Sequence, residues 1–269
     1  MILDDILAAK EAEVRRLHPR AAALRAAAAA APPPRDFAAA LGSADTVAIV
    51  AEFKRRSPSA GSIAADGDPA SVAVAYERGG AAAVSVLTDG PFFGGSLGDV
   101  RDARGACGLP ILRKDFHVDP VQLLEARAAG ADAVLLIVRV LDDGRLRDLV
   151  GLAAELGMGA VVEAHDGEEL GRALAAGAGV IGVNARDLSD FSVRPDDAAA
   201  VLAAIPPDRL AVAESGIRGP GDAERAARAG ADALLVGGWL MEGSPEARVA
   251  SLVGLSRRPR PAHAAGGHA

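Results

Sequence analysis

Two lysines and three glutamates stand at the ends of apolar runs, where they could do acid–base chemistry. "VAIVAEF" carries Glu52 and leads into Lys54; "LPILRK" ends at Lys114, followed by Asp115. "GAVVEA" carries Glu163, and "RLAVAES" ends at Glu214 and Ser215. Asn184 and Arg186 close another apolar run, and Gly237 and Gly238 a further one. Charges of this kind are costly to bury without partners, so they should compensate one another around a shared solvent-filled pocket. An ammonium held among carboxylates stays charged and can protonate or polarise a carbonyl, while a carboxylate can take a proton. A single Glu–Lys pair would read as a structural ion pair. Two lysines, three glutamates and an asparagine on five separate strand ends read as chemistry.

The elements that must position these groups follow from an internal repeat. "RGGAAAVSVL", "AAGADAVLLI", "AAGAGVIGVN" and "RAGADALLVG" each show a helix end, a Gly, a turn and an apolar strand. Gly80, Gly130, Gly177 and Gly230 fit the left-handed position that closes a helix. Four more strands, at 47–53, 109–114, 159–164 and 209–215, fall in the gaps. Helical segments alternate with them, with Asp119 and Asp166 as N-caps. Eight apolar strands alternating with helices predict a single (β/α)8 barrel, whose active site lies at the carboxyl ends of the strands. An open doubly wound sheet is the structural alternative, but the chain has no early Gly-rich dinucleotide turn.

Along the strand at 47–53 and just beyond it, alternation places Glu52 and Lys54 on one face, into the barrel mouth, with Phe53 turned out to the helices. Gly216, Gly237 and Gly238 lie after the last two strands, where barrels commonly hold phosphate on backbone amides. "RRSPSAG" (55–61) fits either a plain surface turn or a mobile loop over a substrate. His117 and His165 follow strands near Asp115 and Glu163, but no ligand spacing supports a metal, so they read as loop histidines. Trp239 is placed to pack on the barrel or close the pocket.

Residues 1–256 are expected to form the barrel with a helical N-terminal extension over about 1–44, broken at Pro19 and by Pro32–Pro34. Residues 257–269 lack anything to bury and read as a disordered tail. The 269 residues carry a net charge of −7, with 50% hydrophobic and 3% aromatic residues. The acidic balance disfavours nucleic acid or an anionic membrane as partner, though a local pocket can still be cationic. Cys107, the lone cysteine, excludes an intrachain disulfide. No signal peptide or membrane span is read, and the expected location is the cytoplasm.

Taken together, "AEFKRRSPSAG", "ILRKDFHVDPVQLLEARAAGAD", "VVEAHDGEEL", "IGVNARDL" and "VAESGI" resemble, in that order, the indole-3-glycerol phosphate synthase family, over about residues 3–255. The resemblance implies a lyase of tryptophan biosynthesis that needs no cofactor or metal. Its substrate would be 1-(2-carboxyphenylamino)-1-deoxyribulose 5-phosphate, and its products indole-3-glycerol phosphate, carbon dioxide and water. It implies that Lys114 is the general acid and that Glu163 and Lys54 form a second acid/base pair. Glu52, Asn184, Glu214 and Ser215 would be further active-site positions. Ser57, Phe116 and Arg186 would contact substrate, and the backbone at Gly216, Gly237 and Gly238 would cradle phosphate. It also leaves room for weak association with neighbouring pathway enzymes.

Two departures stand out. Relatives often carry Glu, Ser or Thr after the last strand's Gly, where this chain has Gly238 followed by Trp239, and Ala60 stands where many carry Lys. These leave open a paralogue making indole units for a secondary metabolite. Another phosphate-sugar barrel enzyme, or a catalytically silent barrel, is the remaining alternative.

Overall fold

A computed structural model describes residues 2–58, 61–187 and 191–260 of the chain. Its centre is a closed barrel of eight parallel strands. In chain order they are β1 (Ala48–Phe53), β2 (Ala83–Leu87), β3 (Ile111–Lys114), β4 (Ala133–Ile137), β5 (Gly159–Ala164), β6 (Val180–Asn184), β7 (Leu210–Glu214) and β8 (Ala233–Val236). Neighbours in sequence are neighbours in the barrel, and β8 pairs with β1 through Ala48 opposite Ala233.

Three helices precede the barrel: α1 (Ile2–Leu17), α2 (Ala21–Ala30) and α3 (Phe37–Gly42). The crossover helices are α4 (Pro69–Arg78), α5 (Leu97–Ala106), α6 (Pro120–Ala128), α7 (Asp143–Glu155), α8 (Gly167–Ala175), α9 (Pro195–Ala204) and α10 (Pro220–Arg228), with α11 (Pro245–Ala250) after β8. The expected punctuation is present. Asp119 and Asp166 cap α6 and α8 by accepting amides of Val121 and Glu169. Gly80, Gly130, Gly177 and Gly230 have φ of 90°, 92°, 85° and 98°. A side chain would be strained there, which is why the repeat keeps Gly.

The aliphatic strands are buried on both faces. Outward residues such as Ile49, Phe53, Val84 and Val134 pack into the large core shared with the helices. Inward residues such as Val50, Leu112, Leu135 and Val212 fill the barrel, joined by Phe37 and Leu41 of α3. The inner face is mostly apolar, and on β1, β3, β5, β6 and β7 the last inward residue is polar: Glu52, Lys114, Glu163, Asn184 and Glu214.

The repeated Gly-Ala-Asp has a second use. Asp132 and Asp232, the residues before β4 and β8, accept the amides of Ile111 and Ala211, each at 2.8 Å. Each thus ties down the start of the preceding strand. Asp232 also binds Arg260 at 2.7 Å, and Arg260 reaches the carbonyls of Ile205 and Arg209. The tail expected to be disordered from 257 is therefore docked through Arg260, because a guanidinium fork finds a carboxylate and carbonyls at the barrel's lower end. Its remainder, 261–269, lies outside the described residues. Among the described residues, no helix is long and apolar enough to cross a membrane.

Candidate active site

The carboxyl ends of the strands open on a cavity of about 730 Å³. All seven acid–base and polar candidates line it, from Glu52 and Lys54 on β1 and its exit to Glu214 and Ser215 at the end of β7. So do the six contact candidates, Ser57, Phe116, Arg186, Gly216, Gly237 and Gly238.

Strand alternation does the positioning. Lys114 is the last inward residue of β3, Glu163 of β5 and Glu214 of β7. Lys114 Nζ lies 3.3 Å from Glu163 Oε2 and 3.2 Å from Glu214 Oε2. Lys54 Nζ donates to Glu52 Oε1 at 2.6 Å. Two glycines make room for these carboxylates. A Cβ on Gly182 would overlap Glu214 Oε1, and one on Gly237 would overlap Glu52 Oε1. On the outer side, Tyr76 donates to the Glu52 carbonyl at 2.9 Å and fixes β1 from behind.

Electrostatics divides the two carboxylates around Lys114. Burial pushes both up, since each is at most 2% exposed. Lys114, His165 and the Asn184 amide outweigh that at Glu163 and hold it below the usual carboxylate range. At Glu214 burial wins over Lys114 and is reinforced by the Glu163 charge, so this carboxyl is raised. Burial opposes the Lys114 charge, but Glu214, Glu163 and Glu52 more than offset it and hold the ammonium protonated. The arrangement presents one ammonium between two buried carboxyl groups whose proton affinities are shifted in opposite directions, Glu163 down and Glu214 up.

The turns after β7 and β8 border the same cavity. The chain leaves β7 through two left-handed residues, Ser215 at φ 65° and Gly216 at φ 76°. It leaves β8 through Gly237 into a one-turn helix, Gly238–Met241. Arg218 and Arg248 also border the cavity, as do the apolar side chains of Leu87, Phe93 and Ile137. Neither arginine was singled out in the sequence, because each lies beyond a strand end on a segment with no periodicity to place it. Leu87 and Ile137 were legible in principle as last inward residues.

Several expectations need correction. Arg113 and Asp115 do not share the pocket role of Lys114. Arg113 is 1% exposed and faces the helices, where it meets Asp115 at 3.0 Å, Glu125 at 3.1 Å and Thr88 at 3.1 Å. Asp115 turns its carboxylate to these groups and to Lys10 of α1 at 2.8 Å. The run of charges Arg113–Lys114–Asp115 is tolerated because two of the three face a second network outside the barrel. His117 is a loop histidine, as read, but a fully buried one: its Nδ1 bonds the Leu135 carbonyl at 2.8 Å, and burial with Arg113 pushes its pKa down to about 3. The β1 exit loop, 55–61, carries a two-residue antiparallel hairpin, with Arg55 paired to Asp99. Ala60 lies outside the described residues.

A family model described as indole-3-glycerol phosphate synthase matches residues 3–252. The chain belongs to the indole-3-glycerol phosphate synthase family. A protein of that name from a Nocardioides species is 49% identical over 261 residues, covering 94% of this chain and 98% of the relative. One from a Parafrankia species is 48% identical over 259 residues, with 96% of each chain covered. Among solved structures, thiamine phosphate pyrophosphorylase from Pyrococcus furiosus superimposes with a TM-score of 0.57 at 18% identity, over 77% of this chain and 94% of that one, which speaks for the barrel alone. Within this indole-3-glycerol phosphate synthase family member, the Arg248 guanidinium stacks 4.5 Å above the Trp239 ring, and both side chains border the cavity.

Proposed function

We propose that the chain converts 1-(2-carboxyphenylamino)-1-deoxyribulose 5-phosphate to indole-3-glycerol phosphate, carbon dioxide and water. The observation that carries this reading is the meeting of Lys54, Lys114 and Glu163 around one cavity whose other side offers backbone amides and arginines.

The chemistry asks for what these groups supply. The aromatic carbon bearing the carboxylate attacks the ribulose ketone, and the ketone oxygen takes a proton. Lys114, kept charged by its carboxylates, is the acid for that oxygen. Loss of carbon dioxide then returns its bonding pair to the ring. Dehydration removes the new hydroxyl as water and a proton from the carbon beside nitrogen. Glu163 and Lys54 share the acid and base tasks of this step. Glu214, kept protonated, donates a hydrogen bond to an oxygen of the substrate and adds no second negative charge beside Glu163.

Binding follows the same division. Phe93 and Phe116, with ring centroids 6.4 Å apart, form an apolar wall suited to the aminobenzoate ring. Arg186 meets an anionic end. The amides at Gly216, Gly237 and Gly238 take the phosphate, with Arg218 and Arg248 supplying charge. The purified protein, mixed with this substrate, should produce indole fluorescence at a rate set by enzyme concentration. A folded protein that yields none would overturn the reading.

A further inference from the structure

His165 lies immediately after β5, two residues beyond Glu163. Its side chain is 5% exposed, and both ring nitrogens face carboxylates. Nδ1 lies 2.9 Å from Glu169 Oε2. Nε2 lies 3.6 Å from Glu163 Oε1, the oxygen that Lys114 does not engage. Neither Nε2 nor Glu163 Oε1 has another hydrogen-bond partner, although both are buried. A neutral ring with its Nδ1 proton given to Glu169 would aim a lone pair at the Glu163 carboxylate, an arrangement that is repulsive in a desolvated place. An imidazolium instead places an N–H toward each carboxylate.

The rest of the surroundings support that charge. Glu169 accepts from the His165 amide at 2.8 Å and from Arg139 at 2.8 Å, and Arg139 reaches Asp187 at 3.3 Å. Burial depresses the His165 pKa and the Arg139 charge adds to that, but Glu169 and Glu163 outweigh both and leave it raised. Lys114, Asn184 and Glu214 complete the charged and polar set that faces Glu163.

We propose that His165 is a positioning residue, an imidazolium held by Glu169 that keeps Glu163 ionised for its part in the reaction. The inference rests on the proposed role of Glu163. Removing the imidazolium leaves Glu163 with less to oppose its burial, so its proton affinity rises. If Glu163 must be ionised, the acid limb of the kcat–pH profile moves to higher pH.

The test has two independent readouts. In the wild-type protein, NMR titration of the His165 ring should give a pKa above the ordinary histidine value of about 6.5, and Glu163→Gln should lower it. A His165 that titrates at or below the ordinary value would overturn the proposal without reference to activity. In kinetics, His165→Gln should lower kcat about tenfold with KM within about twofold, and shift the acid limb up by roughly one pH unit. Glu169→Gln, which leaves the ring in place but weakens its charge, should shift the limb in the same direction by less. A limb that stays put in both variants would make His165 a packing residue only. If Glu163→Gln itself keeps wild-type turnover while the NMR result holds, the fault lies in the role given to Glu163 and not in the charge of His165.

Discussion

Lys114 gathers most of the site's electrostatics into one side chain. Its ammonium touches Glu163 and Glu214, whose proton affinities are shifted in opposite directions around the shared cation. Lys114→Ala removes the proposed acid and should lower kcat/KM by about 10²–10⁴ while the circular dichroism spectrum stays that of the wild type. Activity within tenfold of wild type would remove Lys114 from that role. Glu214 offers a stability test of the same cluster. Its raised pKa means that folding favours the protonated carboxyl. That contribution is fully present below the unfolded value and is lost as pH rises through the folded one. Glu214→Gln, which mimics the protonated form, should therefore lose less melting temperature than wild type between pH 6 and pH 9. Parallel curves for the two proteins would argue that Glu214 is ionised throughout.

At the scale of elements, α1 is bolted to the loops that carry the aromatic wall. Lys10 is 1% exposed and binds Asp89 at 3.1 Å and Asp115 at 2.8 Å. Asp89 accepts the amides of Phe92 and Phe93, and Asp115 that of Phe116. One ammonium on the N-terminal helix thus holds both ring-bearing turns. Asp115 is correspondingly depressed: burial pushes it up, but Arg113 and Lys10 outweigh that. Lys10→Met leaves buried carboxylates short of a cation and should cost about 3–5 kcal/mol in urea unfolding. A loss below about 1 kcal/mol would show that Arg113 alone satisfies the pair. This network was not legible in the sequence. Its members, Lys10, Asp89, Arg113 and Asp115, are up to a hundred residues apart and follow no shared period. The strands, their inward carboxylates and the closing glycines were legible, because each follows from alternation or from one backbone conformation within a short window. His165 shows the boundary: its place after β5 was readable, but not the Glu169 on the next helix that holds it.

The whole molecule gathers cations and carboxylates from distant parts of an acidic chain around one cavity. The chain carries a net charge of −7, yet Lys54, Lys114, Arg186, Arg218 and Arg248 all border one cavity. Barrel closure makes this possible, since each strand delivers its last inward side chain to the same rim, whatever its distance in sequence. The apolar wall comes from β2, β3 and their loops, and the glycine turns follow β7 and β8. The mouth thus presents one set of groups suited to an aromatic acid and another suited to a phosphate. A crystal structure with indole-3-glycerol phosphate bound tests this most directly. It should show the phosphate on the amides of Gly216, Gly237 and Gly238, the indole ring against the wall of Phe93 and Phe116, and Lys54, Lys114 and Glu163 within hydrogen-bonding reach of the glycerol or ring nitrogen. A product bound elsewhere, or with its phosphate turned away from the β7 and β8 glycines, would contradict the account.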